Sequence, residues 1–393
     1  MRVYLDHNAS TPLRECARQA MIRCIEESGH GNPASVHHAG QRARRILEKA
    51  REQVASLIAA PARSVVFTSG GTEANNLAII GAARVSDRSR RKILTSAIEH
   101  SSVLAPIAHL EAQGFDVIRL APEPDGRISP AAVIAAIDNE TALVSLGLAN
   151  AETGALQNLV EVSEATRQAG AKFHIDAVQA IGRIDVRVDE LGCDLMTMSA
   201  HKIGGPAGIG ALYIRTDVVI SQQTFGGPQE RGFRAGTPNL IGVVGFGAAA
   251  EENGRLLEEE RIRVAELSGT LARRLDASIP GLVINSPTER IGNTLNLTFP
   301  GVLGESLMIA LDLEGIEVSM GSACAAGAVE PSHVLTAMGR NEAQARSSLR
   351  LSLGWNTTPE EVALATQIIP RVWRRVAAAE PVVEYGSARV ALS

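Results

Sequence analysis

Between about residues 60 and 215, short apolar runs alternate with segments of helical periodicity. Apolar runs at 64–68, 92–96, 116–120, 142–146, 172–175, 194–198 and 210–214 read as buried strands. Segments through Leu77 and Ile80, at 103–113, at 130–137 and near 160–169 carry the helical spacing. Strands that alternate with helices are expected to build a mainly parallel sheet covered on both faces, an α/β fold. Such a sheet binds ligands at the carboxyl ends of its strands. Thr72, His100, Asp176, Ser199, His201 and Lys202 all fall at or just past a predicted strand end. No G-x-G-x-x-G follows the first strand, so the dinucleotide fingerprint is missing.

The flanking sequence extends this plan. Val3-Tyr4-Leu5 reads as a short strand, followed by a polar turn at 6–12 and a second polar loop at 30–33. A helix is expected from 39 to about 59, with Ala43, Leu47, Ala50 and Val54 on one face. Residues 226–237 form a glycine- and arginine-rich loop. A long helix follows over roughly 239–278, with a bend near Asn253-Gly254 and its later part as a hinge. Strands near 282–285, 293–299, 316–319 and 349–353 and a helix at 304–314 suggest a smaller α+β unit. The resulting division is a large domain at 13–255, a small domain made of 1–12 and 256–376, and a tail at 377–393, alanine-rich and polar, that should fray.

Composition narrows the class of function. The chain has 393 residues, 45% hydrophobic and 21% charged, with a formal net charge of -5. That balance suits a globular protein with a large core and gives no basic footprint for nucleic acid. No apolar run reaches the roughly 18 residues of a bilayer span. The N-terminus meets Asp6 at once and does not read as a signal peptide. Cysteines 16, 24, 193 and 324 have no zinc spacing, and a reduced cytoplasmic protein without disulfides is expected.

Four places along the chain carry chemistry. Ser199-Ala200-His201-Lys202 ends a buried run and is turned by Gly204, Gly205 and Pro206. A desolvated lysine there would hold a free amine able to condense with an aldehyde, though the same motif suits a lysine on a solvated turn. Ser69-Gly70-Gly71-Thr72 joins a strand to a helix, a build that offers amides and a helix dipole to phosphate, or an ordinary capped helix start. Asp176 ends a buried strand and needs a partner; a pyridinium nitrogen would serve, and so would a helix N-terminus. His100 follows a strand, where it could stack on a ring or only cap a helix.

In their order along the chain, these stretches resemble the fold-type I pyridoxal-phosphate enzymes and, among them, the cysteine desulfurases of the iron–sulfur and nitrogenase-associated group. Further carriers of the resemblance are Tyr4 to Pro12, Gly31-Asn32-Pro33, Asp176-Ala177-Val178-Gln179, Glu230 to Thr237, Gly321-Ser322-Ala323-Cys324 and Ser348 to Gly354. The resemblance implies that Lys202 holds pyridoxal 5'-phosphate covalently, Asp176 pairs with the ring nitrogen, His100 stacks on the ring and Gln179 donates to the ring oxygen. It implies that Gly71, Thr72, Ser199 and His201 bind the phosphate and that Thr237 reaches the phosphate of a neighbouring subunit, hence a homodimer. Arg350 would grip the substrate carboxylate with help from Asn32, and Lys202 or His100 would move the α-proton. Cys324, flanked by small residues in a mobile loop, would take sulfur from L-cysteine as a persulfide, leaving L-alanine. It would then pass the sulfur to an acceptor, an iron–sulfur scaffold or a sulfur-transfer protein. No resident metal is implied, although Cys324 could transiently ligate an iron–sulfur cluster.

One position departs from the family pattern. Two successive asparagines are usual where this chain has Asn150-Ala151, and Ala151 offers no donor to the ring oxygen. Selenocysteine lyase, or another β-elimination or transamination, is the alternative activity with the same cofactor, and a non-catalytic partner-binding relative is a third reading. Cys324 argues against the former, and the joint presence of Lys202, Asp176 and Cys324 against the latter.

Overall fold

The structure is a computed structural model that describes residues 2–28, 31–87, 89–321 and 330–379. Its first part runs β1 (Val3–Tyr4), α1 (Glu15–Ser28), α2 (His38–Ser56), β2 (Val65–Thr68), α3 (Gly71–Val85), β3 (Lys92–Ser96), α4 (Ser101–Ala112) and β4 (Asp116–Leu120). It continues with α5 (Pro130–Ala136), β5 (Thr141–Gly147), α6 (Val160–Gln168), β6 (Lys172–Asp176), α7 (Val188–Leu191), β7 (Leu195–Ser199) and β8 (Gly210–Ile214). After α8 (Leu240–Ser278) come β9 (Val283–Ile284), β10 (Thr294–Thr298), α9 (Gly304–Leu313), β11 (Ile316–Glu317), α10 (His333–Ala337), α11 (Glu342–Arg346), β12 (Ser348–Ser352) and α12 (Pro359–Ala379).

Seven strands form the main sheet in the order β2-β8-β7-β6-β5-β3-β4. Only β8 runs antiparallel to its neighbours; the other pairs are parallel. Successive strand residues feed opposite cores, as the pleat requires. Ile93, Leu143 and Leu195 pack with α3 and α4 residues on one face, and Leu94, Val144 and Met196 with the core containing α2 and the start of α8 on the other. Both faces are therefore apolar, which is why the strands read as unbroken runs rather than as alternating patterns.

A further core gathers β10, β12, α9 and α12 around Leu271, Leu297, Phe299, Leu349 and Trp373. There, β12, β10 and β9 form a small antiparallel sheet, and β1 pairs in parallel with β11. Val3 and Leu5 belong to this core, so the start of the chain is built into its later part.

The structure corrects several local expectations. α8 is one continuous helix of 39 residues with no break at Asn253-Gly254. Asn253 is buried beside Gly182, and a Cβ on Gly254 would meet only Leu57 Cδ1 at 3.8 Å, so the helix runs through both residues without a bend. Phe246 and Ala250 of α8 lie in the first core and Leu267, Leu271 and Leu275 in the later one, so one rigid rod spans both. The strands expected at 282–285 and 316–319 shorten to two residues each. Helices α1 and α12 go beyond what was expected. α1 has few buried apolar residues, and α12 carries an internal Pro370 that masks its buried stripe Val362, Ala365, Ile369 and Val372. α12 also continues to Ala379, past the expected fraying point at 377, and the rest of that tail lies outside the described residues.

The glycine- and arginine-rich loop is anchored by a buried ion pair. Arg51 donates to both carboxylate oxygens of Glu230 at 2.6 and 2.9 Å, and Glu230 also accepts the Phe67 amide at 2.9 Å. The two side chains are 3% and 4% exposed, which decides the cost of breaking the pair: the survivor would be an uncompensated buried charge. Arg51→Met is expected to lower unfolding stability by about 3 kcal/mol, read from the urea midpoint, while the double variant Arg51→Met/Glu230→Gln should recover part of that loss.

Candidate active site

β7 runs apolar and fully buried to Ser199, and a 3-10 turn over Ala200–Lys202 then sets Lys202 at the carboxyl edge of the sheet. Its Nζ donates to the Asn8 carbonyl at 2.5 Å and the Ala9 carbonyl at 2.8 Å. The polar turn at 6–12 thus receives this lysine through its backbone, while its side chains tie it down elsewhere: His7 to Thr11, Asn8 to Thr294 and Asp6 to Arg350. Burial, then the cations Arg183 and Arg350, push the Lys202 amine down to about 7, against the pull of Asp6 and Asp176. A large neutral fraction near pH 7 suits a nucleophilic lysine.

Asp176 ends β6. Its Oδ2 accepts Asn75 Nδ2 at 2.8 Å and its Oδ1 accepts the Val178 amide at 3.0 Å. Among the described residues it makes no salt bridge, so a positively charged ring nitrogen fits its open charge. α3 enters between the ends of β6 and β7: a Cβ added to Gly71 would lie 3.1 Å from Val178 Cγ2 and 3.5 Å from Ser199 Cβ. No side chain caps this helix at Gly70, so its N-terminal dipole, beside Ser199, has no acceptor from the cap side chain. His100 caps α4, accepting the Ser102 amide at 3.1 Å through Nδ1. Its imidazole is surface-accessible at the cleft, and burial of its surroundings lowers its pKa, with Asp176 raising it and Lys202 lowering it. His201 bonds Ser10 Oγ at 3.3 Å, and burial holds it at about 4, a neutral ring at physiological pH. The lysine, the acid, the helix start and the imidazoles therefore fit pyridoxal phosphate.

Gln179 donates one amide hydrogen to the Asn8 carbonyl at 3.1 Å, the same oxygen that Lys202 uses. Arg350 lies in β12, buried, with Nη2 on Asp6 Oδ1 at 2.7 Å and Nη1 on the Ala151 carbonyl at 3.2 Å. Its Nε is buried without a hydrogen-bond partner. Asn150 is used internally, accepting the amides of Glu152 and Thr153 and donating to Ile98. Asn32 and Thr237 are exposed; Asn32 accepts the Ala34 amide, and among the described residues no hydrogen bond joins either to the Lys202 cluster. Cys324 lies outside the described residues. Cysteines 16, 24 and 193 are free, and burial pushes the thiols of Cys16 and Cys193 up to about 12.

Several contacts at the site were not predicted from the sequence, although Asp6, Asn8 and Ala9 lie in a stretch that carries the resemblance. Asn75 on Asp176, Asp6 on Arg350 and the carbonyls of Asn8 and Ala9 on Lys202 become visible only in the fold. Asn75 is a fully buried amide one turn after Gly71, and a polar residue on the buried face of an otherwise apolar helix is the signal that could have found it. Glu99 is a buried carboxyl whose pKa burial raises to about 7, with Ser96 Oγ donating to it at 2.6 Å.

Gly354 closes the site from the β12 side. A Cβ there would lie 1.9 Å from His7 Nδ1, and that nitrogen is bonded to Thr11 Oγ1 at 2.6 Å. Gly354→Ala is therefore expected to displace the turn that receives Lys202 and to cost about 1–3 kcal/mol of stability, measured by thermal unfolding. Gly339→Ala, with nothing near its Cβ position but a positive φ of 85°, is the comparison for backbone strain alone.

The fold and site together define a fold-type I enzyme, and the chain belongs to the class-V aminotransferase family, whose model matches residues 3–364. Pyridoxal phosphate is the usual cofactor of that family. Within it, the relatives are cysteine desulfurases: the IscS of Dictyoglomus turgidum is 40% identical over 380 residues, covering 96% of each chain. The IscS of Anaeromyxobacter dehalogenans is 42% identical over 386 residues, 97% of this chain and 95% of its own. A solved NifS-like protein superposes with a TM-score of 0.90 at 34% identity, covering 95% of this chain and all of the other. SspA, solved in complex with cysteine, gives 0.77 at 33% identity over 89% of this chain and 98% of its own.

Proposed function

We propose that this protein is a pyridoxal-phosphate-dependent cysteine desulfurase that converts L-cysteine to L-alanine and carries the sulfur as a persulfide on Cys324. The observation that carries the reading is Lys202, an amine held near pKa 7 at the sheet edge within electrostatic reach of Asp176 and His100.

Pyridoxal phosphate, when bound, supplies an electron sink for the carbanion at the substrate α-carbon. Lys202 would anchor it and afterwards move the α-proton, with His100 stacked beside the ring. Asp176, steadied by Asn75, would keep the ring nitrogen protonated. The first amides of α3 at Gly71 and Thr72, with Ser199 and His201, would hold the phosphate. Gln179 has a second amide hydrogen for the ring oxygen, where Ala151 offers none. Arg350 would bind the substrate carboxylate beside Asp6, helped by Asn32. The Cys324 thiolate attacks the sulfur of L-cysteine: an S–S bond forms as the Cβ–S bond breaks, and the electron pair left on Cβ takes a proton to give alanine. A second copy of the chain would complete each phosphate site through Thr237, in a homodimer. The persulfide would pass to an acceptor protein, an iron–sulfur scaffold or a sulfur carrier. Among the described residues no helix is long and apolar enough to cross a membrane, and a cytoplasmic location is part of this reading.

The test is a turnover assay with L-cysteine and excess thiol reductant. Equal yields of alanine and sulfide are expected. Pyruvate and ammonia in place of alanine, with sulfide still released, would indicate β-elimination, and alanine from selenocysteine but not from cysteine would indicate a lyase.

A further inference from the structure

Arg183 follows β6 by seven residues and lines one cavity with Lys202, Thr11, Ile203 and Asn293. Its guanidinium donates to the Gln179 carbonyl at 3.0 Å, to Gln179 Oε1 and to the His7 carbonyl at 3.3 Å. All of these acceptors are neutral, and among the described residues it makes no salt bridge. The buried arginines Arg14, Arg51 and Arg350 meet Glu260, Glu230 and Asp6, whereas Arg183, half-buried beside the lysine, meets no carboxylate. Lys202 is bonded to the next carbonyls of the same turn, at Asn8 and Ala9, so two cations are fixed on successive residues of one short loop.

We propose that Arg183 is a positioning residue for the proposed reaction, an uncompensated fixed charge that biases the Lys202 amine towards its neutral, nucleophilic form. The surrounding charges favour this assignment. Of the groups acting on Lys202, Arg350 and Asp6 are already paired with each other, and Asp176 pulls in the opposite direction. His201 and His100 are both lowered by burial, and Lys202 itself contributes to that lowering. After burial, Arg183 is the largest influence that lowers Lys202, and it also lowers His7 and His201. A like charge in a poorly solvated site disfavours protonation of its neighbour, so removing it should raise the lysine pKa.

The inference rests on Lys202 being the attachment lysine, but its test does not need turnover. The full-length protein, freed of pyridoxal phosphate, is labelled with a trace of an amine-acylating reagent across pH, and the Lys202 peptide is quantified by mass spectrometry. The wild-type midpoint is expected near 7. In Arg183→Met it should rise by about one unit, a roughly tenfold smaller neutral fraction at pH 7. Arg183→Lys, which keeps the charge, should stay with the wild type. The pH profile for covalent uptake of added pyridoxal phosphate should shift in parallel. An unchanged midpoint in Arg183→Met, or equal shifts in the Met and Lys variants, overturns the proposal; Arg183→Gln serves as the neutral variant if Met does not fold. A wild-type Lys202 that titrates low yet takes up no cofactor would overturn the attachment role alone, and the labelling shift would still decide Arg183.

Discussion

Lys202→Ala should leave a folded protein that retains no covalently bound pyridoxal phosphate and turns over L-cysteine at least about 10⁴-fold more slowly, since one residue is both anchor and proton carrier. The fold should survive because the amine adds little to it. Its two acceptors are backbone carbonyls, and the Asn8 carbonyl keeps its bond from Gln179 Nε2. Removing an amine whose protonated form is disfavoured by burial also strands no buried charge. Far-UV circular dichroism and the thermal midpoint should therefore stay close to wild type while the cofactor absorbance is lost on desalting. A variant that keeps covalent cofactor, or normal alanine production, would remove Lys202 from the mechanism.

Cys324→Ser should separate binding from sulfur transfer. The thiolate is the attacking species, and a serine hydroxyl at neutral pH offers almost no anion and a much poorer sulfur acceptor. The variant should load pyridoxal phosphate and bind L-cysteine as the wild type does, with alanine, sulfide and persulfide production abolished. The other cysteines are poor substitutes. Cys193 is buried and Cys16 donates to Glu252 at 2.9 Å, and both thiols stay protonated near neutral pH. Retained sulfide production in Cys324→Ser, or added sulfur on Cys16, Cys24 or Cys193, would assign the transfer elsewhere.

How much of this was legible in the sequence follows from the range of the interactions. Strands with both faces buried are nearly unbroken apolar runs, so β2, β3 and β5 to β8 and their order along the chain could be read directly; β4, also expected, is a partly exposed edge strand. With them came the residues at their ends: Gly71, His100, Asp176, Ser199 and Lys202. The contacts that tune those residues could not be read. Asn75 reaches Asp176 across 101 positions, Lys202 reaches Asn8 across 194 and Arg350 reaches Asp6 across 344, and no local period encodes such pairs. The bend expected in α8 failed because a glycine was read as a breaker, whereas α8 runs through Gly254 as one helix held by both cores. Asn32 and Thr237 were expected from the resemblance, Asn32 beside Arg350 and Thr237 towards a second copy; both are exposed, and among the described residues neither is hydrogen-bonded to the Lys202 cluster.

A single-turnover experiment without added reductant or acceptor bears most directly on the account. The loaded enzyme is mixed with L-cysteine and quenched, with alanine counted by chromatography and protein-bound sulfur located by peptide mass spectrometry. One alanine per active site, matched by one extra sulfur on the peptide that carries Cys324, is the expected result. Pyruvate and ammonia with no sulfur on the protein, or alanine formed while Cys324 remains unmodified, would contradict it.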